Sequence, residues 1–296
     1  MKKEDNQVIS RATGLLVIEV RDSNPNGDPD RESDPRTRGH DQRGVITGVS
    51  FKRKLRDLVD QKDAAPWKEL GRKEDLPDNE FDILEARRHK RTDIENLLKK
   101  DFEGFKKRFW DARVFGNTFL EKKGEDTIRC GVAHFALGVS LAPVRIERLT
   151  MTKMAPAQKG KGEEEGPTRG MAPLGYRVVE HGMYCMPFFV NPTASGKSGC
   201  TKRDIGLLLA LIPYAYPHTK SVIRPLVEVR HAWYAEHKNP LGSFSEFAFI
   251  EAMTPRKKAN PEEPSTRSDE YEVPTSLPED LKGKVENFRD LCNPQA

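Results

Sequence analysis

The chain has 296 residues, of which 36% are hydrophobic and 32% charged, with 50 Lys and Arg against 46 Asp and Glu for a net charge of +4. That length suits one elaborated domain with a single core. So mild a charge excess permits a polyanion partner without demanding one, and the placement of the cations decides more than their sum. In chain order, residues 14–20 (GLLVIEV) are short, apolar and β-branched and predict a buried strand. Residues 22–43, dense in Asn, Pro, Gly, Asp and Arg, predict a long functional loop. Thr47 caps a helix to about Gln61, with Phe51, Leu55, Leu58 and Val59 as its buried stripe. Residues 64–79 predict irregular structure. Thr92 with Glu95 forms a capping box for a second helix, whose face is Ile94, Leu97, Leu98, Phe102, Phe105 and Phe109. Residues 129–146 are β-rich, and 151–175, centred on PAQKGKGEEEGP, predict an exposed flexible arm or hairpin. Residues 184–191 predict a buried strand, Thr201 caps a helix through about Leu211, and 226–234 predict a strand. From Thr254 the Pro-, Glu- and Lys-rich chain predicts a peripheral tail with one short helix in 278–291.

This order fits an α+β fold: a ferredoxin-like or RRM-like β-α-β-β-α-β core with long insertions. Such a fold often binds RNA but proves no function by itself. The four cysteines, Cys130, Cys185, Cys200 and Cys292, form no C-x-x-C pair and adjoin no histidine cluster. Their spacing argues against zinc and a disulfide framework and for reduced, mostly buried thiols. Residues 1–10 are polar, and nothing approaches the ~20 apolar residues of a membrane span. A soluble, cytoplasmic protein with no membrane partner is expected.

Several motifs need weighing. Asp22 to Gly27 (DSNPNG) opens like a calcium loop, but the twelfth position, which needs a bidentate Glu, is Ser33. A rigid Asx- and Pro-built turn fits better, with Asn24, Asn26 and Gly27 shaping a place for a phosphate. Ser195 to Ser198 (SGKS) lacks the first glycine of a P-loop, since position 191 is Asn191. Lys52, Arg53, Lys54 and Arg56 crowd one helical turn with only Asp57 nearby to balance them. Such a run is either a solvated face or a phosphate-binding surface. Lys52 and Arg56, at i and i+4, lie off the apolar stripe and could follow adjacent phosphates. Residues 87–91 (RRHKR) form a second basic run of lower specificity. No nucleophile motif is present, and Glu163, Glu164 and Glu165 lack Asp or His neighbours at ligand spacing.

The segment VRDSNPNGDPD (residues 20–30) resembles the signature opening of the Cas-seven family, the backbone subunits of type I CRISPR Cascade complexes. Further blocks follow in the family's order: GVITGVSFKRKLRD (44–57), DARVFGNTF (111–119), GVAHFALGVSLAPV (131–144), GMYCMPFFVNP (182–192) and TKRDIG (201–206). The pattern looks closest to the type I-C and I-B branches. This chain has Gly48 after the helix-capping Thr, where the family usually has Asp, and Ala112 in place of the usual Val.

The resemblance implies an RRM-like palm (residues 1–255) with a helical finger insertion at about 62–110, a protruding thumb hairpin at about 145–182, and a peripheral tail at 256–296. It implies a non-catalytic subunit that needs no cofactor and stacks head to tail along a CRISPR guide RNA. Its partners would be that RNA, the target DNA strand, further copies of itself and other Cascade subunits. RNA-contact residues implied or suggested are Asn24, Asn26 and Gly27 in the loop; Lys52, Arg53, Lys54 and Arg56 on the first helix; Arg113, Phe115 and Gly116; and Lys153, Met154, Arg169 and Met171 in the thumb. The alternative is a metal-dependent, target-RNA-cleaving backbone subunit of type III-like complexes. A guide-processing enzyme lacks a visible His-based acid–base set, and a generic RRM binder would carry an RNP1-type aromatic motif that this sequence lacks.

Overall fold

A computed structural model describes residues 8–74, 76, 80–86, 88–116, 128, 130–156 and 169–293. Strand β1 (Ala12–Ser23) leads into a loop carrying the two-residue strands β2 (Gly27–Asp28) and β3 (Asp34–Pro35), then β4 (Arg43–Ile46). Helices α1 (Gly48–Asp60), α2 (Ala65–Lys73), α3 (Arg91–Lys100), α4 (Phe102–Arg108) and α5 (Trp110–Phe115) follow. Next come β5 (Ala133–Phe135), β6 (Gly138–Pro143), β7 (Ile146–Pro156) and β8 (Arg169–Val190), then α6 (Ser195–Ser198) and α7 (Lys202–Leu211). The chain ends with β9 (Leu226–His237), α8 (Glu246–Met253), β10 (Arg256–Lys257), β11 (Tyr271–Glu272), α9 (Glu279–Lys282) and β12 (Val285–Asp290). The main sheet has the order β12-β9-β1-β8-β6-β4, with β5 and β7 also paired to β8. Its pairings are antiparallel. The chain is thus α+β with a mainly antiparallel sheet.

Side chains alternate across a strand, and both faces of β1 are covered, which explains its unbroken apolar run. Leu16, Ile18 and Val20 join Phe51, Leu55 and Val59 of α1 and Leu207, Leu208 and Leu211 of α7 in the larger core layer. Leu15 and Val17 point the other way, into a layer with Met183, Trp233, Phe249 and Met253.

That second layer corrects the expected peripheral tail. Tyr271, Leu277 and Leu281 are buried in it, and β12 adds a strand beside β9, pairing from Val285↔His237 to Asp290↔Trp233 with a register shift between Val285 and Asn287. Burying such side chains is worth about 1.5–3 kcal/mol each, enough to dock a segment of modest apolar content. The helix expected in 278–291 is a single turn, α9, and the remainder is the strand. Residues 64–79 contain α2, started by Pro66 near its first position. The long helix expected from Thr92 to Phe109 is two helices, α3 and α4, instead. Lys90, not Thr92, precedes α3, and Asp101 ends it and caps α4 by accepting from the Gly104 amide. The apolar stripe still forms a satellite cluster, with Ile94, Phe105 and Phe109 buried.

The arm is a regular hairpin where it is described. Strands β7 and β8 pair from Ile146↔Val179 out to Pro156↔Arg169. The segment 157–168, which holds Glu163, Glu164 and Glu165, lies outside the described residues. Thiol burial is mixed: Cys200 is buried, Cys185 and Cys292 are half-buried, and Cys130 is exposed. Among the described residues no helix is long and apolar enough to cross a membrane.

Candidate nucleic-acid interface

The loop after β1 fixes the start of α1. The Asn26 carboxamide oxygen accepts from the Thr47 amide at 2.8 Å and the Thr47 hydroxyl at 2.9 Å. Thr47 in turn caps α1 by accepting from the Ser50 amide at 3.2 Å. The helix then starts so close to β5 that a Cβ on Gly48 would lie 2.4 Å from the Phe135 carbonyl oxygen. This close approach explains the glycine at position 48. Asn24 is buried; its Nδ2 donates to the Ser33 carbonyl at 2.8 Å. Gly27 pairs with Pro35 across β2 and β3. The turn expected from these residues is present, but the Asn26 side chain and the Asn24 amide nitrogen bind the protein's own backbone and Thr47. They are not turned outward to receive a phosphate.

The four cations of α1 separate into two kinds. Arg56 does not lie clear of the core as expected: it is 4% exposed. Its Nε donates to Asp111 Oδ2 at 2.9 Å, and Nη2 lies 3.0 Å from Glu85 Oε1. The geometric reason is that α5 packs beside the flank of α1 and presents Asp111 to it. Arg53 is paired with Asp57 at 2.7 Å and donates to the Glu85 carbonyl at 3.0 Å. Among the described residues Lys52 and Lys54 have no such ion pair. They flank the buried stripe on opposite sides and are each half-buried.

Burial lowers the Lys52 pKa, the Arg56 charge lowers it further, and Glu85 opposes this. The Lys52 ammonium lies 5.1 Å from the Phe115 ring centroid, as does the Arg56 guanidinium. Phe115 itself packs edge-on against Trp110 at 5.4 Å. His134 on β5 faces the same place, its pKa lowered by burial and then by Lys52. On the other flank, burial and then Arg224 lower the Lys54 pKa, with Asp57 opposing. Like charges held together in partly desolvated positions repel unless an anion joins them. Both lysines are therefore suited to phosphate. The effects of His134 and Arg224 on α1 are not visible in the sequence, because each reaches α1 only through tertiary packing.

Arg113 is also placed differently from expectation. It is 5% exposed and makes a bidentate pair with Asp204 of α7, at 3.0 Å and 2.6 Å. It also donates to the carbonyls of Lys106, Lys107 and Glu80. These bonds tie α5 to the preceding helical segment and to α7, and leave the guanidinium turned inward. Gly116 ends α5 with φ +84°, a conformation that favours glycine. In the hairpin, Met154 pairs with Met171, Lys153 with Ala172 and Pro156 with Arg169 along the backbone. The side chains of Lys153, Met154, Arg169 and Met171 lie outside the described set. In the second basic run Arg88 pairs with Asp60, and Arg87 lies outside the described residues. The SGKS segment forms the single turn α6, closed by Gly199 at φ +73°.

These elements define a mainly antiparallel α+β protein with a basic helix packed on its sheet. The model of the family "CRISPR-associated protein Cas7" matches residues 10–276, and the chain belongs to that family. Comparison with curated proteins gives no match. Solved structures with similar chains include a CRISPR RNA-guided surveillance complex, pre-nicking, at 14% identity with 82% of each chain covered and TM-score 0.49. Another is a CRISPR RNA-guided surveillance complex at 13% identity, covering 83% of this chain and 77% of the other, TM-score 0.39. A third is the type III-B Cmr-beta bound to cognate target RNA, at 11% identity, covering 77% and 61%, TM-score 0.41.

Proposed function

We propose that this chain is a non-catalytic, guide-RNA-binding backbone subunit of a type I CRISPR surveillance (Cascade) complex. Its partners are the guide RNA, the target DNA strand, further copies of itself and other subunits of the complex. The observation that carries this reading is the family match across residues 10–276. The strand order β9-β1-β8-β6, with α1 and α7 sharing one core layer, supports an RRM-like palm. On that plan residues 62–110 are the finger and the β7–β8 hairpin is the thumb. Such a subunit reads phosphate and shape while base pairing reads sequence. Lys52 and Lys54 are the α1 groups we assign to guide phosphates, with Phe115 beneath Lys52.

The direct test is to purify the protein from cells carrying a CRISPR array and extract its nucleic acid. A discrete guide-length RNA with repeat-derived ends is expected. Replacing Lys52 and Lys54 together by Ala should weaken single-stranded RNA binding and flatten its log–log salt dependence by about 1.4 units, roughly 0.7 per lost phosphate contact. Unchanged affinity and slope would show that these lysines are merely solvated. An RNA-cleavage assay with divalent metal addresses the enzymatic alternative; cleavage by the pure protein would overturn the non-catalytic assignment.

A further inference from the structure

Beyond α1, a short turn before β9 carries features that folding alone does not require. The Arg224 amide donates to the Ser221 carbonyl at 2.9 Å, closing a tight turn over Ser221, Val222, Ile223 and Arg224. Val222 is 78% exposed at its tip and Ile223 37%. The turn is stapled to the loop after β1. The Asn24 amide donates to the Ile223 carbonyl at 2.7 Å, and Arg224 Nε donates to the Asn24 carbonyl at 3.0 Å. Two residues on, Asn26 holds the N-terminus of α1. The turn and the Lys54 flank of α1 are therefore parts of one braced unit.

Within that unit the charges are unbalanced. Arg224 has no carboxylate partner among the described residues; Tyr216, in the segment that leads to the turn, packs its ring on Phe51 of α1 at 5.9 Å, and the Arg224 charge lowers the Lys54 pKa after burial has done so. Asp57, which partly offsets it, is already paired with Arg53 at 2.7 Å. Lys220, at the foot of the turn, is exposed. An aliphatic tip between cations suits a nucleotide chain, whose phosphates want the charges and whose riboses and base faces want apolar contact. A protein partner would need an acidic surface with a small apolar socket, and nothing here specifies one.

We propose that the Ser221–Arg224 turn is a second contact for a single-stranded RNA backbone, in which Lys54 and Arg224 hold a phosphate while Val222 and Ile223 lie against the neighbouring ribose or base. The inference rests on the RNA-binding function proposed above and extends it to a loop remote in sequence from α1.

The test uses Val222→Glu and Val222→Lys, because an exposed tip tolerates either without unfolding; thermal melts check this. Binding of a fluorescein-labelled single-stranded oligouridylate is measured for both, beside Lys52→Ala on the opposite flank of α1. Val222→Glu should weaken binding about threefold to tenfold by setting a carboxylate beside the phosphate path, and Val222→Lys should match or tighten it. Equal affinity for both, with Lys52→Ala still weakened, would remove the turn from the RNA path and leave the RNA-binding function standing. Loss of self-association in both variants with unchanged oligouridylate affinity would make the turn a protein-docking knob instead and overturn the inference. If neither Val222→Glu nor Lys52→Ala alters binding, the RNA-binding function itself fails.

Discussion

Arg113→Ala separates two roles that the sequence alone leaves merged. The guanidinium has five N–H donors, and the structure uses all of them: two on Asp204 and three on the carbonyls of Lys106, Lys107 and Glu80. Truncation leaves Asp204, 1% exposed, without its cation, and leaves three carbonyls without this donor. Breaking a buried pair by removing one partner costs about 3–5 kcal/mol, against a total stability of about 5–15 kcal/mol for a typical domain. At roughly 2–4 °C per kcal/mol the melting temperature should fall by about 6–20 °C. Urea unfolding of the purified protein, with and without the substitution, measures the loss. RNA affinity, taken where the variant is still folded, should match the parent. Arg113→Lys should recover little, because an ammonium cannot reproduce the planar fork. An unchanged unfolding midpoint combined with lost RNA binding would refute the reasoning and make Arg113 an RNA contact.

Two more outcomes follow from the fold. Burial raises the Glu19 pKa, but His181, Arg21 and Arg230 outweigh it and hold the carboxyl at about 2. Burial likewise raises the Asp290 pKa, but the bonds from His231 and the backbone outweigh it and hold the carboxyl at about 2. Both folded values lie below the usual carboxylate range, so their contribution is present above about pH 4–5 and is lost as pH falls towards 2. Stability followed by circular dichroism should therefore drop across that window, and Glu19→Gln should shrink the drop; an equal drop in the variant would discount the group. Replacing residues 157–168 by an Asn-Gly turn, which favours a tight two-residue hairpin, should leave the isolated subunit folded while impairing RNA-dependent assembly. Mass photometry reads this, and normal assembly would discount the hairpin's reach.

Much of this was legible because local signals agreed. In β1 the apolar run, in α1 the Thr47 cap with its stripe, and in α7 the Thr201 cap all needed only nearby residues. What stayed hidden depended on distant partners. VENFRD has mixed propensity, and it becomes β12 because the edge of β9 offers backbone bonds and Ala232 donates to Asp290 at 2.9 Å. The stripe from Ile94 to Phe109 was correctly apolar, yet Asp101 broke the helix by offering a cap, which competes with helix continuation at short polar residues. Arg56 looked solvent-facing by helical period; nothing near it reveals Asp111, 55 positions away.

The division between arginines and lysines follows from their chemistry. In the DARVF block, Asp111 reaches α1 through Arg56 and also accepts from the amides of Leu84 at 2.6 Å and Glu85 at 3.2 Å. Arg113, two residues on, reaches α7 through Asp204. One short helix thus clamps α1, α7 and the chain between them through two buried ion pairs. Guanidinium suits this work because its fork fits a carboxylate and several carbonyls at once. Among the described residues Lys52 and Lys54 make no comparable bonds, which leaves their charge available to an anion from outside the subunit. An anion bound there would relieve their repulsion from Arg56 and Arg224 without disturbing the clamp. Stability and RNA affinity should accordingly respond to different residues of the same basic helix.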